Sequence, residues 1–90
     1  MQFVVLETFF ITERYSILIV KAPKQDWRIK IGSFMQFELN GKQRRVEIRN
    51  VDIPRYPDGS TDQIAIAVSE RELRKAELHL MVGVILKLEN

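Results

Sequence analysis

The 90-residue sequence predicts a mainly β fold: a small closed or partly closed six-stranded barrel with one short helical turn, filling residues 1–90 as a single domain. Three observations lead there. Residues 3–11 are apolar, and β-branched or aromatic, at most positions, which suits a pleated, half-buried surface. A two-residue alternation surrounds Asn40-Gly41, as in a tight hairpin. The alternation then changes parity near Arg49-Asn50, as a strand does when a bulge bends it enough to help close a sheet. A chain of this length holds one core.

In order along the chain, the first strand, 3–11, is broken only by Glu7 and Thr8. Thr12-Glu13-Arg14 turns into a second strand, 15–22, whose unbroken Ile17-Leu18-Ile19-Val20 implies cover on both faces. Pro23 ends it, having no amide proton and restricting the residue before it. Residues 24–33 are polar, with Trp27 in the middle and Gly32 near the end. Met35, Phe37 and Leu39 then alternate with Gln36 and Glu38. Asn40-Gly41 suits a two-residue type I′ turn, since both residues tolerate positive φ. That turn pairs Leu39 with Lys42, Phe37 with Arg44 and Met35 with Val46. It places Met35 and Val46 on the buried face and points Gln36, Arg45 and Glu47 outward.

Past the returning strand, 42–48, the apolar positions move to Val51 and Ile53, hence the expected bulge. Residues 54–62, with Pro57 and Asp58-Gly59, read as a loop, and 64–68 as a short strand. Ser69-Glu70-Arg71-Glu72 has the form of a capping box. A short helix to about Ala76 is expected, with Arg74 and Lys75 near its C-terminal dipole. Residues 78–88 close the chain as a strand bent at Gly83.

Composition excludes several classes of function. Without cysteine there is no disulfide framework and no thiolate zinc site. Residues 1–7 lack the basic lead-in and cleavage site of a signal peptide. The apolar stretch 78–86 spans nine residues with His79 inside it, where a membrane helix needs about 20. A cytoplasmic protein with no membrane role is expected. The net charge of +2 implies no polyanion partner, but residues 21–55 hold nine Lys/Arg against four Asp/Glu. The middle of the chain is basic beside near-neutral ends.

No constellation points to catalysis, so no enzyme, cofactor or metal is expected. His79 has no second histidine and reads as a structural or surface residue. Asp58, Asp62 and Glu70 lack the ligand spacing of a calcium hand. Ser16, Ser33, Ser60 and Ser69 have no glycine elbow. Arg45 and Arg49, followed by Asp58-Gly59-Ser60, resemble the motif of PilZ barrels that bind cyclic dinucleotides, but Gln63 stands where that motif needs glycine.

One basic strand does suggest a contact surface. Arg45 and Arg49 face outward in the expected register, Arg44 lies near the hairpin tip, and Lys24, Arg28 and Lys30 lie nearby. Trp27 and Tyr56 add stacking surfaces, a combination that suits single-stranded nucleic acid. With Arg55 on a loop, the expected contact residues are Trp27, Arg28, Arg44, Arg45, Arg49, Arg55 and Tyr56. The plainer alternative is a solvated outer face with Trp27 plugging a barrel end. A second kind of contact follows from Phe9-Phe10-Ile11, which cannot all face one core. At least one joins an exposed apolar patch, as a protein–protein or self-association module requires.

Laid end to end, the elements resemble the β-barrel second domain of the translational GTPases, elongation factor Tu and its relatives. Residues 6–14, Leu-Glu-Thr-Phe-Phe-Ile-Thr-Glu-Arg, look like that domain's opening strand and turn. Ile29-Lys30-Ile31-Gly32 looks like its Ile-Lys-Val-Gly segment, residues 42–51 like the strand that follows, and 64–76 like its penultimate strand and short helix. The glycines flanking the arginine of the family's first turn are replaced by Glu13 and Tyr15. No phosphate-cradling Gly-x-x-x-x-Gly-Lys-[Ser/Thr] occurs, so GTPase chemistry is not expected. The resemblance implies a non-catalytic binding module that contacts RNA, a ribosomal surface or an associated protein.

Overall fold

The computed structural model describes residues 2–11, 14–21, 29–52 and 63–89. Within them seven antiparallel strands form one sheet. In chain order they are β1 (Gln2–Ile11), β2 (Tyr15–Lys21), β3 (Phe34–Leu39), β4 (Lys42–Glu47), β5 (Asn50–Asp52), β6 (Gln63–Ser69) and β7 (Ile85–Leu88). A 3₁₀ helix, Lys75–Leu80, lies between β6 and β7. The spatial order is β4-β3-β7-β1-β2-β6-β5. The fold is mainly β, as expected. The strand count and the closure are not as expected.

The difference lies at Ile48 and Arg49. The Ile48 amide donates to the Ser33 carbonyl at 2.8 Å, whereas the next amide, that of Arg49, donates to Ala67 at 2.8 Å. Consecutive peptide groups thus take partners from opposite ends of the sheet. What reads in sequence as one strand with a bulge is two strands, β4 beside β3 and β5 beside β6. The hydrogen-bonded order therefore has two ends, and those ends are neighbours along the chain.

A register shift does occur, in β1. Val5 pairs with Val20 and Glu7 with Ile19, which leaves Leu6 as the surplus residue. Before it, Phe3 and Val5 face the core. After it the inward parity moves to Thr8 and Phe10, with Phe10 packed against the core and Thr8 Oγ1 donating to the Leu78 carbonyl at 3.4 Å. Phe9 and Ile11 face out.

The hairpin forms as expected. Leu39 pairs with Lys42, Phe37 with Arg44 and Met35 with Val46. Asn40 and Gly41 have φ of 52° and 78°, the double positive φ that a type I′ turn demands. Met35 and Val46 are both fully buried. They join Phe3, Leu18, Val20, Ile48, Ile66, Val68, Leu73, Met81 and Leu86 in one core cluster. A single buried polar side chain lies among the described residues: Ser16, whose hydroxyl donates to the Leu73 carbonyl. That bond satisfies both groups away from water and holds the turn after β6 over the core.

The helix start is displaced by five residues from the expected capping box. The Leu73 amide bonds back to the Ser69 carbonyl at 3.1 Å, a single helical turn that does not continue. Half of the expected box is present, since the Ser69 hydroxyl accepts the Arg71 amide at 3.2 Å, but Glu72 does not reach back to Ser69; its Oε1 accepts the Glu47 amide at 3.4 Å. The helix begins only at Lys75, where Glu77 Oε1 accepts the Arg74 amide at 3.1 Å. It runs through Leu80 and consumes the start of the expected last strand, so His79 is an exposed helical residue. Gly83, at φ 87°, then lets the chain reverse into β7.

Candidate functional site

Of the expected contact residues, Arg44, Arg45 and Arg49 are described. Trp27, Arg28, Arg55 and Tyr56 lie outside the described residues, as does Lys24. The three arginines stand close together on and just beyond β4, yet each meets a carboxylate.

Arg44 shares the inward parity of Val46, and its guanidinium reaches across to the 3₁₀ helix. Nη1 donates to Glu77 Oε2 at 2.6 Å, and Nη2 donates to Glu77 Oε1 at 3.3 Å and to the Glu72 carbonyl at 2.6 Å. This two-pronged grip holds the Glu77 carboxyl below its usual range, the Arg74 amide adding to the effect. Arg45 faces outward as expected. Its Nε and Nη2 donate to Glu89 at 2.7 and 3.0 Å, and its guanidinium lies 3.7 Å from the centroid of the Phe34 ring. Gln36, directly opposite Arg45 in the hairpin, donates to the same Glu89 at 2.8 Å. Those two donors, Arg45 first, lower the Glu89 carboxyl as well. Arg49 makes only a loose 3.8 Å pair with Glu47.

The basic strand thus works mainly as an internal clamp, one arginine holding the 3₁₀ helix and another the C-terminal end of the described chain. Glu77 and Glu89 escaped the sequence reading because they lie 33 and 44 residues from the arginines they bind.

The opposite situation holds on β1 and β2. Phe9 is 54% exposed and Ile11 51% exposed. Register places them in two outward rows: Phe9 beside Ile17 and Ala67, and Ile11 beside Tyr15 and Ser69. A third row, Glu7, Ile19 and Ala65, continues the face. Seven of these nine residues are apolar or aromatic. Of the apolar ones only Phe9 and Ile11 are exposed; Tyr15, Ile17 and Ala65 are partly buried, and Ile19 and Ala67 are buried, so the second strand is covered on both faces as expected and the open part of this face is its β1 side. Glu7 and Lys21 are exposed at the bulge end of this face. Beyond its other end the lines of β2 and β6 continue into Arg14, which is exposed, and Glu70, which is half-buried, joined by a 3.4 Å backbone bond and at the parity opposite to Tyr15 and Ser69. None of these four charged side chains is ion-paired among the described residues.

Elsewhere, a shallow hollow is lined by Arg44, Arg71, Arg74, Ala76 and Glu77. It contains the Glu77 carboxylate and so opposes an anion as much as it invites one. Among the described residues no cluster of three or more metal-ligating side chains occurs. No helix among them is long and apolar enough to cross a membrane. Comparison with known proteins finds no matching family model, no matching curated protein and no matching solved structure.

Proposed function

We propose that this chain is a non-catalytic binding module that contacts protein through the outer face of β1, β2 and β6. One observation carries the reading: Phe9 and Ile11 lie more than half exposed on a strand whose other face completes the core. Exposed aromatic and branched side chains in register with Tyr15 and Ile17 are the kind of surface that is buried by association. The RNA contact suggested by the basic strand has less support, because a phosphate would have to displace Glu77 from Arg44 and Glu89 from Arg45.

The same reading takes β4 and β5 as one strand bent at Ile48-Arg49. Counted so, six strands follow one another around a ring. That ring is the small barrel on which the likeness to the second domain of translational GTPases rests, and β4 touching β6 favours it. On this view the chain is a translation-factor-like barrel whose partner is a protein.

The test is affinity capture from the source cell with three versions of the chain: wild type, Phe9→Ser/Ile11→Ser and Arg45→Ala/Arg49→Ala. The expected result is a protein held by wild type and by the arginine variant but lost by the apolar variant. Loss with the arginine variant alone would transfer the contact to the basic strand. Titration with single-stranded RNA supplies the complementary measurement. If four cations met phosphates, affinity would fall about 50-fold between roughly 50 and 200 mM salt. No such binding is expected.

A further inference from the structure

Where β3 meets β7 the sheet comes apart. The two strands pair through Met35 with Leu88 and Gln36 with Lys87, and the Glu89 amide donates to the Phe34 carbonyl at 2.9 Å. In the same register Glu38 and Ile85 would face each other next on the outer side, yet these two are not partners. Both are exposed. The seam opens there into a hollow of about 400 Å³, rimmed by Gln2, Gln36, Glu38, Gln43, Ile85 and Lys87. Register sets these side chains on one face. Gln36, Lys87 and Gln2 lie side by side across β3, β7 and β1, and Glu38 lies beside Gln43 across the hairpin.

Three carboxamides, one carboxylate and one ammonium thus border the hollow, and each carboxamide offers both donors and an acceptor. Gln36 donates to Glu89 Oε2 at 2.8 Å and accepts from Gln43 Nε2 at 3.5 Å, which orients both amides. The side chains of Gln2, Glu38 and Lys87 have no partner among the described residues. Glu38 and Lys87 cancel in charge, and the neighbouring Arg45 and Glu89 are paired to each other, so the rim selects no ion. Ile85, 47% exposed, adds an apolar flank. A matching ligand carries several groups that both donate and accept, no net charge, and a patch of C–H surface. A sugar ring has all three. We infer that this hollow binds a neutral saccharide of one or two rings, with Gln2, Glu38, Gln43 and Lys87 on its hydroxyls and Ile85 against its C–H face. The volume falls in the lower part of the range of small-ligand clefts, about 300–1,000 Å³. β3 and β7 are interior strands, each with a neighbour on both sides, so the hollow is not an edge for an added peptide strand. It is also separate from Phe9 and Ile11, so a saccharide and a protein partner do not compete for one surface.

A titration of the full chain, followed by the shifts of its backbone amides in NMR spectra, tests this. The probes are glucose, galactose, mannose and N-acetylglucosamine, with maltose, cellobiose and lactose as two-ring probes. The expected result is a saturable millimolar shift of the Gln36, Glu38, Ile85 and Lys87 amides by at least one of them. Glu38→Ala and Lys87→Ala should each weaken that binding about tenfold, since each removes a hydrogen bond made by a charged group. Both positions are exposed, so an unchanged circular dichroism spectrum is expected for each variant. Phe9→Ser/Ile11→Ser should bind the sugar as wild type does, which keeps this site distinct from the protein contact. A panel that shifts none of the four amides overturns the inference. So does a sugar that binds Glu38→Ala/Lys87→Ala as tightly as wild type, or glucuronate or glucosamine binding more tightly than glucose. An extended peptide that shifts these amides where no sugar does also overturns it, and leaves the reading of Phe9 and Ile11 untouched.

Discussion

β4 and β1 both carry conspicuous side chains, and they use them in opposite ways. On β4, Arg44 and Arg45 look available in sequence but are engaged by Glu77 and Glu89. On β1, Phe9 and Ile11 look like core residues but are left in solvent by a one-residue shift of register. The contrast shows that residue type alone does not mark a contact surface. A group matters for binding when the fold gives it no partner of its own, and by that measure the greasy strand outranks the charged one.

The sharpest way to break this contrast is to compare two phenylalanines of one strand. Phe3 is 2% exposed and Phe9 is 54% exposed, on opposite sides of the Leu6 bulge. Phe3→Ala should cost about 3–5 kcal/mol of stability in urea unfolding. Phe9→Ser, measured in dilute solution, should stay within about 0.5 kcal/mol. Equal effects would mean that the bulge does not divide the faces as described. Next in size is Ser16→Ala, which strips the Leu73 carbonyl of its donor in a dry environment. A loss of about 1–3 kcal/mol is expected.

On the charged strand, Arg44→Ala should cost about 1–2 kcal/mol, because it removes bonds to a carboxylate and to a main-chain carbonyl. Acid sharpens the same point. The Glu77 carboxyl is lowered in the folded chain, so its contribution is present above the unfolded value and is lost as pH falls through the folded one. Glu77→Gln should therefore flatten the acid limb of a stability–pH profile, with wild type and variant converging at low pH. The smallest effect is expected for Arg45→Ala, whose carboxylate partner is on the surface. Its readout is faster amide exchange at Glu89, which is bonded to the Phe34 carbonyl at 2.9 Å.

What could be read in advance was local. The hairpin was legible because Met35, Val46 and the Asn40-Gly41 corner lie within a dozen residues and obey one periodicity. The bulge at Leu6 was not, since Phe3-Val4-Val5-Leu6 is apolar throughout and fits either parity. Nor was the division of β4 from β5, which depends on what Ser33 and Ala67 offer to two neighbouring amides. The helix start was misplaced by five residues, since Ser69 with Glu72 has the better capping sequence but Arg74 with Glu77 forms the bond that begins the helix. The second pair is reinforced by Arg44, far away in sequence. The apolar face was half legible: consecutive Phe9, Phe10 and Ile11 cannot share a side, but only the bulge decides which two point out.

The hand-over at Ile48 and Arg49 also has a mechanical consequence. One peptide link is the ruler that sets the two margins of the sheet against each other, since the groups on either side of it are bolted to opposite margins. Lengthening that ruler by one residue would slide one margin past the other by roughly 3.4 Å and turn its side chains inside out. The whole molecule is keyed to the length of a single joint.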